Sequence, residues 1–414
     1  MTILEDRPAP TPRAAIPSDL SATEPTGAAP TSKGQQRRRR RRLALLVLMA
    51  LVVPVGWSYT GYLTAAGDAP VGVRSVDWLR DHGFESVVND IEQWWYTRTK
   101  PTGTKVPTSD LPSALQPHTA VAALAATGPD APSTPTIPPS TIPTLVVPAQ
   151  AGEGVWQPVT GLATPSAAVE QTFLRPDKAF PSVGANLVRI DQRATRLVFV
   201  PGTREPGGTG WAWGSQIPVD QRQRVIAAFN AGFKFKHTAG GIYTEGRHAV
   251  RPLQNGLASI VIRKDGTADI AKWGRDTAMG TDIASVRQNL DLIVDHGAPV
   301  GGLITDRAGR WGTVKSQLQY TWRSGVGIDA QGRLIYAAGH KMTLTQLATS
   351  LSQAGAVRAM QLDIHDNVVT FNWYRPVKGT KTDVVASKLT PAMTRDATRY
   401  LVPDQRDFLA VVAR

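Results

Sequence analysis

The sequence predicts an α+β fold with a mixed or antiparallel sheet and a few packed helices, preceded by one transmembrane helix and a disordered linker. Three observations predict it: an uncharged apolar stretch near the N-terminus, a Pro-rich stretch in the middle, and a β-rich C-terminal part with two hairpin patterns. Residues 153–414 are long enough to bury a core of their own, so the globular domain is assigned to them.

Residues 43–63 read LALLVLMALVVPVGWSYTGYL and carry no charge. A helix needs about 20 apolar residues to cross the hydrocarbon core of a bilayer, so this stretch is long enough. An arginine run at 37–42 precedes it, and a Trp and two Tyr lie at its far end. The positive-inside rule then predicts a single-pass anchor in the cell membrane, with a cytoplasmic N-terminus and an extracellular C-terminal domain. A signal peptide cleaved just after the stretch stays open as the alternative.

Charge and cysteine content restrict the class of protein. Residues 1–42 hold nine Lys/Arg and four Asp/Glu, a net +5, so +8 of the chain's +13 belongs to the remainder. Because the arginine run directly precedes the apolar stretch, it is interpreted as a topology signal, and no nucleic-acid partner is expected. The chain has no cysteine, which excludes thiol nucleophiles and iron–sulfur sites and favours a bacterial exported protein. No cofactor is expected.

The regions around the apolar stretch differ in composition. Residues 1–42 are rich in Pro, Ala, Thr and Ser before the arginine run, which predicts a disordered cytoplasmic tail. Residues 98–152 are rich in Pro, Thr and Ala, which predicts a semi-extended linker across a cell envelope.

Residues 64–97 contain apolar positions at steps of three and four, which predicts one or two amphipathic helices interrupted near Gly83. Two interpretations stay open. The segment packs on the folded domain or a partner, or it lies in the outer membrane interface through Trp94, Trp95 and Tyr96.

Within the globular domain, alternating or continuous apolar runs predict strands at 187–190 and 196–200. Hairpins are predicted at 259–271, with Asp265-Gly266 at the turn, and at 325–338. Helices are predicted at three places: 219–228, 283–290 and 344–354, the last between a Thr343 N-cap and Gly355.

Five motifs in order resemble the phosphodiester glycosidase family. They are FNAGF at 229–233, IYTEGR at 242–247, the Asp265-Gly266 hairpin, RSGVGIDAQGRL at 323–334 and TLTQLATSLSQAGAVRAMQLD at 343–363. The resemblance implies a hydrolase that cleaves a glycosidic bond in a sugar phosphodiester or related envelope glycan; together with the predicted anchor, the chain is expected to be a membrane-anchored extracytoplasmic hydrolase.

The resemblance also implies roles for residues of these motifs. Asp363 would be the carboxylate nearest the anomeric carbon, and Arg323, which matches the family's arginine, would be a positive clamp on the phosphate. Glycoside cleavage generally uses a second carboxyl group, for which Glu245 is the first candidate and Asp366 another. Substrate contacts are expected from Asn230, Gly232, Arg247, His365 and Asp366.

One departure from the family pattern supports a second hypothesis. The family continues Leu-Asp with a Gly-Gly-Gly-Ser turn, whereas this chain continues with Ile364-His365-Asp366-Asn367. Loss of glycines that let backbone approach a ligand favours a catalytically inactive domain that binds an envelope glycan or a protein. A divalent cation held by Asp363, His365 and Asp366 is a weaker hypothesis than a plain loop histidine.

Overall fold

The computed structural model describes residues 32–65, 69–113, 140–312 and 317–414. Most of the predicted disordered tail (residues 1–31) and the middle of the predicted linker (residues 114–139) lie outside the described residues.

The predicted membrane span lies within helix α1, Ser32–Leu63. Its segment Gln36–Leu63 is long and apolar enough to cross a membrane by length and composition. A signal sequence near the N-terminus has the same properties.

Two further helices follow, α2 (Val71–Leu79) and α3 (Glu85–Arg98). They are separated by the irregular turn Arg80–Phe84, in which Gly83 has a φ of 91°. Glycine adopts this left-handed conformation without a steric penalty, so the two helices break where the sequence predicted the interruption.

The described part of residues 140–414 contains eighteen β-strands, and all pairings between them are antiparallel. In chain order they are β1 (Gln157–Pro158), β2 (Val169–Leu174), β3 (Ala185–Ile190), β4 (Thr195–Val200), β5 (Val225–Asn230), β6 (Ile242–Thr244), β7 (Arg247–Ala249), β8 (Ala258–Arg263), β9 (Ala268–Lys272), β10 (Ile283–Gln288), β11 (Leu292–Asp295), β12 (Ala298–Pro299), β13 (Thr321–Asp329), β14 (Leu334–Met342), β15 (Ala356–Gln361), β16 (Phe371–Pro376), β17 (Val384–Lys388) and β18 (Phe408–Ala413).

These strands make three sheets. One has eight strands in the order β1-β2-β3-β14-β13-β15-β11-β12, and two have five strands each, β7-β6-β10-β8-β9 and β17-β16-β5-β18-β4. The largest apolar cluster lies among the three sheets, where Phe229 stacks on Phe371 with ring centroids 5.6 Å apart. The α+β fold and both predicted hairpins are confirmed.

Helix α4, Leu344–Gln353, packs on the eight-stranded sheet. It starts where the sequence predicted because Thr343 and Gln346 form a capping box, in which each side chain bonds the other's backbone N–H. Leu347 and Leu351, one turn apart, bury its apolar face.

The other two predicted helices are wrong. Residues 219–228 form a short 3-10 turn, Val219–Gln221, followed by β5, and residues 283–290 contain β10. Both strands lie inside a sheet and bury both faces, so their side chains show no two-residue alternation that would distinguish a strand from a helix.

The ends of the predicted linker pack on the domain. Val106 and Leu111 form a small buried cluster with Phe173, and the Ser113 N–H donates to the Leu389 carbonyl at 2.8 Å. On the other side of the linker, Ile142 is buried.

Candidate functional site

A cavity of about 1350 Å³ opens where strand ends of two sheets meet. In antiparallel pairs the end of one strand lies beside the start of the next, so the end of β5 lies beside the start of β18. The end of β15 likewise lies near the start of β13. The loops that leave these four strand ends form much of the cavity wall.

The charge of the wall is divided between two parts of the chain. The globular part contributes seven cations, Arg204, Lys234, Lys236, Arg323, Arg395, Arg399 and Arg406, and three acids, Glu205, Asp363 and Asp404. The α2–α3 part contributes one cation, Arg80, and four acids, Asp77, Asp81, Asp90 and Glu92. The globular wall is therefore basic and the wall that faces it is acidic.

Asp363 lies at the base of the cavity, two residues after β15. Its Oδ2 accepts a hydrogen bond from Arg406 Nη2 at 2.6 Å, and its Oδ1 accepts one from the Ile364 N–H at 2.8 Å. Both side chains of the pair are largely buried. Burial disfavours the charged guanidinium, but Asp363, Asp407 and Glu205 outweigh it and raise the pKa of Arg406.

The backbone of Asp363 is fixed by neighbouring strands. Its N–H donates to the Ala231 carbonyl at 3.0 Å, and its carbonyl accepts from Ser324 Oγ at 3.1 Å. Asn230 Nδ2 donates to Ser324 Oγ at 3.0 Å. Asn230 therefore lies beneath the cavity as a connector of β5 and β13, and it is not part of the cavity wall.

Arg323 contributes to the same cavity wall as Asp363. Its Nε donates to the Met342 carbonyl at 2.8 Å, and its Nη2 lies 3.3 Å from the Gln319 carbonyl. Burial lowers the pKa of Arg323 to about 9, so the group still carries a positive charge at neutral pH.

Gly232 is required by close packing next to Asp363. A Cβ at this position would lie 3.0 Å from Cζ of Arg287, which is held by Asp407 at 2.6 Å. The carbonyl of Gly232 accepts a hydrogen bond from Arg406 Nη2 at 3.0 Å. The glycine of the FNAGF motif thus lets the backbone approach both arginines.

Some polar side chains of the cavity wall have buried hydrogen-bonding atoms without a partner among the described residues; they are Arg80, Gln319, Gln361 and Arg406. Arg406 Nε and both terminal atoms of the Gln361 side chain are buried and have no partner among the residues that the structure describes. A buried donor without a partner is costly, so these atoms favour a polar ligand at the base of the cavity.

In the turn where the family has glycines, His365 adopts a backbone conformation that is typical of glycine. His365 has a φ of 81°, in the left-handed region. Its ring stacks on Tyr96 at a centroid distance of 5.2 Å, and its Nδ1 lies 3.1 Å from Thr321 Oγ1. Desolvation, with Arg80 and Arg323 nearby, lowers the pKa of His365 to about 3, so the ring is neutral at neutral pH.

We call residues 71–98, which comprise α2 and α3, the helical cover. Its acidic side chains bind the basic loop that follows β5. Lys234 Nζ donates to Asp77 at 2.8 Å, and His237 Nε2 lies 2.7 Å from Glu85. Lys236 Nζ lies 3.4 Å from Asp81 and 3.2 Å from Glu85.

The inner side of α3 also reaches the altered turn. Besides the ring stack of Tyr96 on His365, Glu92 lies 3.9 Å from His365 Nε2 and 2.5 Å from Arg80. Desolvation is the largest effect on Glu92 and raises its pKa. The cover therefore places aromatic and acidic groups above the base of the cavity.

Besides Asn230 and Gly232, which lie beneath the cavity, three further predicted site residues lie outside the cavity wall. Glu245 is exposed in the turn between β6 and β7, where its Oε1 accepts from the Ala212 N–H at 2.9 Å. Arg247 is exposed with its guanidinium 3.7 Å from the centroid of the Trp211 ring. Asp366 is half-buried beside the wall, and desolvation raises its pKa. Among the described residues, no group of three His, Cys, Asp or Glu is arranged to hold a metal ion.

Arg406 was not among the residues predicted from the sequence. It lies 43 positions after Asp363, beyond the last of the five motifs. Only the β5–β18 pairing, which sequence periodicity does not reveal, brings it to the site.

The fold and the cavity define an α+β domain with a basic cavity wall beside a buried carboxylate. Residues 223–363 match the family model of phosphodiester glycosidases, so the resemblance of the five motifs is confirmed. The match ends at Asp363.

The solved structures that match the chain include two at low identity. The catalytic domain of zebrafish N-acetylglucosamine-1-phosphodiester α-N-acetylglucosaminidase, auto-inhibited by its pro-peptide, is 18% identical with a TM-score of 0.40, over 63% of this chain and 87% of that one. A hypothetical protein from Synechocystis is 14% identical with a TM-score of 0.34, over 60% and 63%. No curated protein matches the chain.

Proposed function

We propose that residues 140–414 form a glycosidase that cleaves a sugar phosphodiester or a related anionic envelope glycan. The observation that carries this proposal is the buried Asp363–Arg406 pair at the base of a basic cavity. The match to the phosphodiester glycosidase family supports the reaction class.

The roles follow from charge and position. Asp363 is the carboxylate that meets the anomeric carbon, where positive charge develops as the glycosidic bond breaks. Arg406 and Arg323 are the cations for the phosphodiester, whose negative charge increases as it leaves. A phosphodiester is an acidic leaving group and needs little protonation, so an exposed Glu245 outside the cavity does not weaken the proposal.

The location of the reaction is also part of the proposal. The arginine run at 37–42 before the apolar stretch favours a domain held outside the cell by α1. An anionic envelope polymer would be attracted to the basic cavity over a distance of about 8–10 Å at physiological salt.

A noncatalytic binding domain remains the second candidate because of one observation. The His365–Tyr96 stack fills space above the turn where the family has glycines. If this stack persists when ligand binds, the cavity holds an anionic glycan beside Arg406 and the anomeric carbon does not reach Asp363.

Turnover by the full chain in detergent distinguishes the two candidates. UDP-GlcNAc and an aryl sugar phosphodiester serve as substrates, and Asp363→Asn tests the carboxylate while keeping its size. Asp366→Asn is the matched control, since this acid lies outside the cavity wall. We expect the Asp363 variant to lose turnover and the control to keep it. Glycan binding without turnover would instead establish the binding domain. This result would have to hold both in the parent chain and in a variant whose cover is loosened by Asp77→Asn, Asp81→Asn and Glu85→Gln.

A further inference from the structure

The outer side of helix α3 carries a row of exposed apolar side chains. They recur at steps of three and four residues, which places them on one side of a helix. The row, which we call the outer stripe, is Phe84, Val87, Ile91, Trp94 and Trp95. Ile91 is 62% exposed and Trp95 57% exposed. None of the five contributes to the cavity wall.

The stripe is separate from the side of α3 that packs on the domain. Val88 is buried, and Glu92 and Tyr96 face the cavity, so the inner side already has its partners. A continuous exposed apolar row on a packed helix indicates an interaction surface. Its two tryptophans are residues that prefer the boundary between water and lipid.

The chain's own connection to α1 indicates which partner the stripe meets. Tyr62 Oη donates to Asp81 Oδ2 at 2.7 Å, at the turn between α2 and α3. Arg74 donates to the Tyr62 and Leu63 carbonyls at 3.2 and 3.1 Å. Tyr62 and Leu63, the last residues of the apolar stretch, are thereby hydrogen-bonded to the segment that carries the stripe.

Positive charges follow the stripe. The guanidinium of Arg98 lies 4.9 Å from the centroid of the Trp94 ring, and Lys100 and Lys105 are exposed just beyond it. An apolar row with interfacial tryptophans and flanking cations is the composition of a helix that lies in a membrane surface containing anionic lipid.

From this geometry we infer that the outer stripe lies in the headgroup region of the membrane that α1 crosses. The helical cover then has two partners, the lipid surface on its outer side and the basic cavity on its inner side. The inference rests on the proposed membrane span and is independent of the proposed enzymatic activity.

The absence of cysteine makes a site-specific test direct. An environment-sensitive fluorophore is attached to the full chain through Ile91→Cys or, as the matched control, Ser86→Cys. Ser86 is exposed on the same helix, about 140° from Ile91 at 3.6 residues per turn, and it borders the cavity, so it reports on the inner side of the cover. Each labelled chain is reconstituted in vesicles of phosphatidylcholine and phosphatidylglycerol.

We expect a blue-shifted emission at position 91, quenching there by lipid with a nitroxide near the headgroup, and protection from aqueous iodide. Position 86 should show iodide quenching and little lipid quenching. Iodide quenching at both positions would mean a free surface, and protection of position 91 from both quenchers would mean a protein partner. Either result would overturn the inference. Retention of the chain in vesicles at pH 11 checks the span separately.

Discussion

We expect the acidic residues of the helical cover to hold it over the basic cavity, and this can be tested by removing their charge. The triple variant Asp77→Asn, Asp81→Asn, Glu85→Gln keeps side-chain size and removes the ion pairs to Lys234, Lys236 and His237. The cover should then separate from the domain more often, because it loses these ion pairs while its apolar contacts stay the same.

The exposure of these ion pairs sets the expected magnitude. Their side chains are between 16% and 40% exposed, so each pair contributes about 0.2–1 kcal/mol. Three substitutions together should cost about 1–3 kcal/mol, which raises the opening equilibrium constant roughly 5–150-fold. High salt should produce a similar loosening in the parent chain, since it screens exposed pairs.

Amide hydrogen exchange of residues 71–98 measures this change, because exchange of these amides requires local opening. The matched control is Asp90→Asn, an acid of the same cavity wall with no ion pair among the described residues. Exchange should accelerate in the triple variant and stay close to parent in the control. Equal exchange in all three proteins would refute the view that these charges hold the cover in place.

Three further predictions concern single sites. Asp363→Ala should lower the free energy of unfolding by about 3–5 kcal/mol, because it leaves Arg406 buried without its carboxylate. Adding Arg406→Met to this variant should restore part of the lost stability, and urea unfolding measures both changes. If the double variant lost the sum of the two single losses, the pairing would be contradicted. The pKa of His365 is about 3 in the folded chain and about 6.5 in the unfolded chain. Between pH 6.5 and pH 3 only the unfolded chain therefore protonates this imidazole. The free energy of unfolding should fall as the pH drops through this range. His365→Gln should flatten that part of the pH profile, and an unchanged slope would contradict the shift. Thr343→Ala should cost about 1 kcal/mol in thermal unfolding by removing the cap of α4, whereas Thr345→Ala, exposed in the same helix, should not.

The sequence correctly predicted the elements whose structure depends on a few neighbouring residues. The capping box at Thr343 and the Asp265-Gly266 turn act within four residues, so α4 and the β8–β9 hairpin could be recognised from their own sequence. The break between α2 and α3 was likewise predicted from Gly83, which lies in the left-handed region.

Elements decided by distant partners were the ones predicted wrongly or missed. Residues 283–290 were predicted as a helix, but they contain β10, whose Arg287 is buried and donates a hydrogen bond to Asp407, 120 positions away. In the same way Asp363 could be proposed from a motif, while its partner Arg406 could not. The inward orientation of Tyr96, which the sequence grouped with Trp94 and Trp95, depends on the stack with His365 and is also a tertiary effect.

If the domain is exported as proposed, the position of β18 has a consequence for the order in which the domain folds. This strand fills the gap between β4 and β5, and the residues just before it supply the cation of the buried pair. A chain that crosses the membrane from its N-terminal side delivers this strand after all the others in the sheet. In such a chain the Asp363 carboxylate would stay without Arg406, and the sheet without the strand between β5 and β4, until residues 406–413 had crossed, so the buried pair would form last.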